Sequence, residues 1–239
     1  MRMKLEGRMP GGMGRLLGRG IMFGSLAFGV IGALGFTVGY VRESELRTRI
    51  AQLEQTIREL RSTVNVDSER YATLRKIVAI IDKHNPEMPA DLKYRIADEI
   101  YRLSLRFDNL TPDLLCAVIT HETGGTWDPK VVSPAGAIGL MQIMPTTGMY
   151  IAEAEGISWT SAQDVLFDPI LNLRIGARYL SDLIRNYGVE GALAAYNGGE
   201  RSAVRWLASG KRGDLLQDET RAYVPRIVKL HEQYKSGQL

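Results

Sequence analysis

Polarity along the chain changes character three times. From Ile21 to Val41 no charged residue occurs, and a helix of about 20 such residues is long enough to cross a bilayer core. Beyond Arg42 the pattern turns amphipathic. Leu46, Ile50, Leu53, Ile57, Leu60 and Val64 recur at alternate spacings of four and three, with Arg47, Arg49, Glu54, Arg58, Glu59 and Arg61 between them. This is a heptad repeat with β-branched residues at a and leucine at d, the choice that favours a parallel two-stranded coil. The frame continues through Tyr71, Leu74, Val78 and Ile81, but Asp67 then occupies a d position and marks its weak point. A helix over residues 42–66 would reach about 37 Å. The competing reading is an amphipathic helix packed on its own domain.

Past Asn85-Pro86-Glu87-Met88-Pro89 the spacing is helical throughout. Leu92, Ile96, Ile100, Leu103 and Phe107 mark one amphipathic helix. Thr111-Pro112-Asp113 begins another, with a capping hydroxyl, proline at the first position and an acid in the first turn. Pro145 opens a third. Asp168-Pro169 opens a fourth that closes at Tyr187-Gly188, and Val189 to Tyr196 forms a short one ended by Asn197-Gly198-Gly199. Glu200 to Ser209 follows, stopped by Gly210, and a last helix is expected to start near Pro225 and end before Gly237. No run alternates with period two. The fold expected is all-α, with residues 1–20 as a tail, 21–41 as a transmembrane helix, 42–83 as a coiled-coil or helical stalk and 84–239 as the outer domain.

Charge sharpens this picture. The formal net charge is +3, yet residues 1–20 alone carry +4 (Arg2, Lys4, Arg8, Arg15 and Arg19 against Glu6), which leaves −1 for the rest. A nearly neutral folded part argues against a nucleic-acid binder. A basic tail before the apolar run places the N-terminus in the cytoplasm and everything after the run outside. An uncleaved anchor is favoured over a signal peptide, because the apolar stretch is long and no A-x-A-like site follows it. Small residues at Ser25, Gly29, Ala33 and at Gly35, Gly39 have the spacing that permits close helix approach. The single Cys116, within an apolar helical run, reads as a buried thiol and excludes an intrachain disulfide.

The chemistry concentrates where the Thr111 helix ends. Leu114, Val118 and Glu122 stand at i, i+4 and i+8, so the carboxyl extends an apolar stripe. Against apolar walls a carboxyl loses hydration, its pKa rises, and it can serve as a general acid near neutrality. Gly124-Gly125 break the helix. Then come Trp127, Ser133-Pro134-Ala135-Gly136-Ala137 and Gly139-Leu140-Met141-Gln142-Ile143-Met144-Pro145. Asp128, the nearest second carboxylate, precedes Pro129 and suits a turn. His84, His121 and His231 are too scattered for a ligand cluster, so neither metal nor cofactor is expected.

These blocks, followed in order by Leu166-Phe167-Asp168-Pro169, Asn172, Gly176-Ala177-Arg178-Tyr179-Leu180, Ala194-Ala195-Tyr196-Asn197-Gly198-Gly199 and Glu219-Thr220-Arg221-Ala222-Tyr223-Val224, resemble the soluble lytic transglycosylase (SLT) family of lysozyme-like, peptidoglycan-cleaving enzymes. The resemblance runs from about Asn109 to about Leu230. It implies a lysozyme-like helical domain in which Glu122 is the acid/base. Glu122 would protonate the oxygen linking N-acetylmuramic acid to N-acetylglucosamine, then deprotonate the muramic C6 hydroxyl as it attacks C1, giving a 1,6-anhydro end. It further implies substrate-binding roles for Ser133, Gln142, Met144, Tyr196, Asn197 and Tyr223, the last of these approaching the glutamate. On residue chemistry alone Ser133 could cap a turn, Gln142 could be satisfied by backbone, Met141 and Met144 could be core, and Tyr223 would lie at a helix entrance. Thr123 stands where the family usually has serine and keeps the hydroxyl. Gly124-Gly125 lengthen the loop to Trp127. The expected partners are peptidoglycan strands, the cytoplasmic membrane through residues 21–41, a second copy through the coil and an envelope or secretion machine. A hydrolytic muramidase and a silent wall-binding scaffold are the alternatives.

Overall fold

The computed structural model describes residues 14–238, with the side chains of 14–35, 38, 39, 62, 63, 65 and 66 outside the described set. Among the described residues every regular element is a helix: α1 (Gly14–His84), α2 (Ala90–Arg106), α3 (Pro112–Glu122), α4 (Pro145–Ala154), α5 (Ala162–Leu166), α6 (Pro169–Gly198), α7 (Glu200–Ala208), a 3-10 turn (Gly213–Leu215) and α8 (Asp218–Lys235). Two isolated β-bridges, Val132 with Ile138 and Ile138 with Ile143, pin the long loop between α3 and α4. The chain divides into two units between Asn65 and Val66.

The first unit holds the N-terminal part of α1. Its heptad side chains Leu46, Ile50, Leu53, Ile57, Leu60 and Val64 are 48–62% exposed. Arg47 pairs with Glu43 and Arg49 with Glu45 across single turns at 2.7 and 2.8 Å. Most of the expected span over residues 21–41 falls on side chains outside the described set. Among the described residues no helix is long and apolar enough to cross a membrane.

The second unit is built around α3. Leu114, Leu115, Cys116, Ala117, Val118 and Ile119 are all buried, so this helix is wrapped on every side and reads as almost wholly apolar. Its start is as expected: Pro112 sits at the first turn and the Thr111 hydroxyl accepts from Leu114 N at 3.1 Å. Helices α8 and α2 pack on it, and α6 packs on α2, α7 and α8. The last turns of α1 belong to this core, because Ile77, Ile80 and Ile81 are fully buried there. Asp168 caps α6 through Ile170 N and Leu171 N at 2.8 and 3.0 Å, with Pro169 following. Gly188, at φ +67°, breaks α6 at the expected place.

The start of the last helix differs from expectation. α8 begins at Asp218, and Pro225 lies inside it, so Tyr223 is within the helix rather than at its entrance. A proline in a helix interior forfeits one hydrogen bond at a cost of about 3 kcal/mol. Burial of Tyr223, Val224 and Ile227 around it offsets that cost. The short α5 and the 3-10 turn also go unmarked by any long period, each being too brief to show one.

Candidate active site

Glu122 closes α3. Helical periodicity carries its side chain along the Leu114–Val118 stripe to the edge of the core. Burial pushes its carboxyl up to about 7; a hydrogen bond donated by the Tyr223 hydroxyl opposes the shift, and the negative charge of Glu219 adds to it. Desolvation wins because a hydroxyl donor favours the carboxylate less than the surrounding apolar wall disfavours it. Tyr223 itself is buried, and its pKa stands well above the usual tyrosine value through burial and the nearby Glu122 charge, so the hydroxyl is a donor at any physiological pH. The His121 ring meets the Tyr223 ring edge-on at 4.8 Å between centroids. His121 is thus packed against the site rather than pointing into it.

Tyr196, at the end of α6, is the third side chain of this group. Its pKa is raised by burial first and by the charge of Glu122 next, and its hydroxyl donates to Met141 O at 2.8 Å. That bond ties α6 to the Met/Gln loop. Asn197 joins α6 to α8: its Oδ1 accepts from the Thr220 hydroxyl at 2.7 Å, and its Nδ2 donates to Glu219 at 3.4 Å. Glu122, Tyr196 and Tyr223 are therefore brought together from three helices, while the Asn197 side chain is bonded to Thr220 and Glu219 of α8.

Ser133 and Gln142 are placed differently. The Ser133 hydroxyl accepts from Ala137 N at 3.0 Å, the turn-capping arrangement. Gln142 sits at φ +46° and its amide donates to Val131 O and Gly139 O at 3.2 and 2.9 Å. Both side chains serve the loop's own backbone, and neither is hydrogen-bonded to Glu122. The two methionines separate: Met141 is fully buried core, whereas Met144 is 42% exposed at the start of α4. Gly176 exists for Met141, since a Cβ there would lie 2.4 Å from its sulfur. Asp128 accepts from Lys130 N at 2.9 Å and serves a turn, as its place before Pro129 suggests.

Three further residues shape the site. Asn172, fully buried, accepts from Met141 N and donates to Ile138 O and Leu166 O, all at 2.9 Å. Thr123 donates to Ile119 O at 2.8 Å and accepts from Trp127 N at 3.1 Å, so the hydroxyl at this position fastens the chain after Glu122 back to α3. Glu219 is an exposed carboxylate one helical turn before Tyr223, and that i, i+4 spacing was the available signal for it. A separate surface cavity of about 420 Å³ lies among α4, α6 and α7, lined by Tyr150, Tyr179, Asp182 and Glu200 among others. Of its lining, the Tyr179 ring lies 5.3 Å from that of Tyr196. Among the described residues no cluster of three or more His, Cys, Asp or Glu side chains is gathered as a metal site.

A family model for the transglycosylase SLT domain matches residues 104–216. Residues 104–216 are an SLT-like segment of this unit. The chain is 36% identical over 119 residues to the soluble lytic murein transglycosylase of Escherichia coli K12, covering 46% of this chain and 18% of that one. It is 29% identical over 143 residues to the membrane-bound lytic murein transglycosylase C of Yersinia enterocolitica, covering 48% and 40%. The crystal structure of the 70 kDa soluble lytic transglycosylase Slt70 of E. coli superposes with a TM-score of 0.52 at 30% identity, over 58% of this chain and 24% of that one. The chain therefore spans less than half the length of these relatives. The SLT match starts after α1, and that helix contributes Ile77, Ile80 and Ile81 to the SLT unit's core from outside it.

Proposed function

We propose that the chain is a peptidoglycan lytic transglycosylase in which Glu122 is the one acid/base. The observation that carries the reading is a half-buried glutamate at a helix end, bonded by the buried Tyr223 hydroxyl, whose desolvated carboxyl, at a pKa of about 7, stays protonated enough to act as an acid. In this reaction the Glu122 proton goes to the glycosidic oxygen as the bond from muramic C1 breaks. The resulting carboxylate then takes the proton of the muramic C6 hydroxyl as that oxygen bonds to C1. The acid is regenerated, no water is consumed and the muramic residue ends as a 1,6-anhydro sugar. One carboxylate is enough because the nucleophile is part of the substrate, so its effective concentration is very high. Paired-carboxylate glycosidases need a second group to bring in water or attack the sugar themselves. Tyr223 holds the carboxyl in place, and Tyr196 and Asn197 present polar groups beside it. Ser133, Gln142 and the exposed Met144 are assigned to the sugar-binding wall, the first two acting through the loop they hold.

Mass spectrometry of purified peptidoglycan incubated with the protein tests this directly. The expected products are anhydro-ended muropeptides; water-added reducing ends would make the protein a muramidase, and firm wall binding without products would make it a scaffold.

The first unit supplies a place for the enzyme. Residues 21–41 are assigned as a membrane anchor, N-terminus inside, on their lack of charge and the basic tail before them. A relative named as membrane-bound agrees with that assignment. Residues 42–66 are assigned as a coiled coil with a second copy, on the exposed heptad stripe. In a parallel, in-register pair Arg49 at g faces Glu54 at e of the other copy, an attractive contact repeated on both sides. Sedimentation of the detergent-solubilised chain is expected to give a dimer and Leu53→Asp a monomer; a monomer for the unsubstituted chain at high concentration removes the coil.

A further inference from the structure

The loop that follows Glu122 holds three residues at positive φ. Gly124 and Gly125 take φ of +59° and +81°, and neither carries a side chain with which to hold its position. Trp127 then takes φ +49°, an uncommon conformation for a large residue, while fully buried. Gly124 N and Gly125 N are held by His121 O and Thr120 O at 3.0 and 2.8 Å, and the Thr123 hydroxyl ties the chain back to α3; the Gly125 carbonyl is held from outside the turn.

His84, the last residue of α1, lies against the turn. Its Nδ1 is 3.0 Å from Gly125 O and its Nε2 is 3.2 Å from the Tyr234 hydroxyl. The Tyr234 hydroxyl is 3.0 Å from the Thr120 hydroxyl, and Trp127 Nε1 donates to that hydroxyl at 2.9 Å. A carbonyl can only accept, so Nδ1 carries the ring proton. A neutral ring then accepts at Nε2, and the directions of all the remaining bonds follow. Trp127 donates to Thr120, Thr120 to Tyr234, Tyr234 to His84, and His84 to Gly125. Each hydroxyl in this chain gives one bond and takes one. Asn85, next to His84, adds a longer bond to Trp127 O at 3.4 Å. The groups facing the ring are the Gly125 carbonyl from the turn, the Tyr234 hydroxyl from α8 and Lys83 from α1. Burial lowers the His84 pKa, the Gly125 carbonyl opposes this, and Lys83 adds to the lowering, which favours the neutral ring on which these bond directions rest.

We propose that His84 is a positioning residue for Glu122: it clamps the two-glycine turn and, through Tyr234 and Thr120, fixes the end of α3 so that the carboxyl meets the Tyr223 hydroxyl. His84 acts from outside the SLT match, whose first residue is 104. Tyr234 lies beyond its last residue, 216, as Tyr223 does. α8 contributes both tyrosines, Tyr223 to the carboxyl and Tyr234 to the clamp, and their spacing of three helical turns puts them on one face. The inference rests on the reading of Glu122 as the acid.

The test is steady-state kinetics of the full chain on a glycan of defined length, across pH, for Tyr234→Phe, His84→Ala, His84→Asn, the Tyr234→Phe/His84→Ala pair and Glu122→Gln. Tyr234→Phe removes one oxygen from a well-packed ring and keeps the protein folded, so it decides the matter should His84→Ala fail to fold. A displacement of the carboxyl by a fraction of an ångström to an ångström predicts a fall in kcat of about tenfold with KM within about twofold. The alkaline limb of the kcat profile is expected to move to lower pH as water reaches the carboxyl. The pair should be no worse than either single change, because both cut one chain. His84→Asn, which retains a donor for Gly125 O, should recover part of the loss. Wild-type kcat in Tyr234→Phe, a loss confined to KM, or multiplying losses in the pair would each overturn the clamp. Full activity in Glu122→Gln would instead remove the underlying reading of the acid, whatever the clamp variants do.

Discussion

Glu122→Gln is expected to abolish cleavage of peptidoglycan and, above neutral pH, to make the protein more stable. The first half follows from the reaction. Glutamine has the shape of the acid and can still accept from Tyr223, but it has no proton to give the glycosidic oxygen and cannot take one from the C6 hydroxyl. General acid–base contributions run from about 10² to 10⁴ in rate, and here one group supplies both steps, so the loss should reach at least about 10³-fold. The second half follows from the carboxyl's environment. Its ordinary value is 4.5 and burial raises it to about 7 in the folded chain. A raised folded pKa means the native state favours the protonated form. That contribution is complete below 4.5 and is lost as pH rises through about 7, because the folded chain must then either keep a proton the solvent is withdrawing or bury a charge. A shift of this size corresponds to an effect on the order of 3 kcal/mol. Glutamine does not titrate and escapes the penalty. Thermal unfolding at pH 5 and pH 8 checks it: the two proteins should nearly coincide at the lower pH, with the variant ahead at the higher. Activity of the unsubstituted enzyme should decline over the same range, as pH passes through about 7. A variant less stable than its parent at pH 8, or one with appreciable turnover, would show that the strained acid lies elsewhere.

The same carboxyl shows what a linear sequence can and cannot reveal. The Leu114–Val118–Glu122 stripe is visible because a helix repeats every 3.6 residues, and burial of the carboxyl follows from it by geometry alone. The starts of α3, α4 and α6 are visible because proline and a capping hydroxyl or carboxylate act within a single turn. What joins those elements is not visible. Tyr223 lies 101 positions from Glu122, and its hydroxyl reaches the carboxyl only because α8 starts at Asp218 and carries Pro225 in its interior. Local rules put a helix start at Pro225; burial of the surrounding apolar residues overrode them. The clamp on Gly125 is further from view, since His84 and Tyr234 are separated by 150 positions and each is unremarkable alone. Ser133 and Gln142 belong to recognisable blocks, yet their side chains hold the loop's backbone, an assignment that chemistry without geometry leaves open.

Asn172→Ala is expected to be among the most damaging single changes in the SLT unit, though it touches no sugar. The amide is fully buried and makes three bonds of 2.9 Å to main-chain groups of two segments: Ile138 and Met141 in the Met/Gln loop, and Leu166 at the end of α5. The amide is packed closely against Gly139. A Cβ at Gly139 would lie 2.3 Å from the Asn172 amide nitrogen and 2.5 Å from Leu166 O, and Gly139 already has φ +80°. Alanine at 172 removes the amide and strips Met141 N and Leu166 O of its bonds, each costing about 1–3 kcal/mol, while Ile138 O keeps its bond from Ile143 N at 3.0 Å. Allowing for some relaxation, a total of about 4 kcal/mol is expected, a large share of the 5–15 kcal/mol typical of a folded domain. Denaturant unfolding should show the midpoint fall by a corresponding amount. Asn172→Asp separates the parts of the argument, for a carboxylate still accepts from Met141 N but cannot donate to Ile138 O or Leu166 O, and it adds a buried charge. It should therefore be no better than alanine. A loss below about 1 kcal/mol for either would mean that water replaces the amide. The loop carrying Gln142 and Met144 would then owe its shape to the Ile138–Ile143 bridge and to the Tyr196 bond on Met141 O.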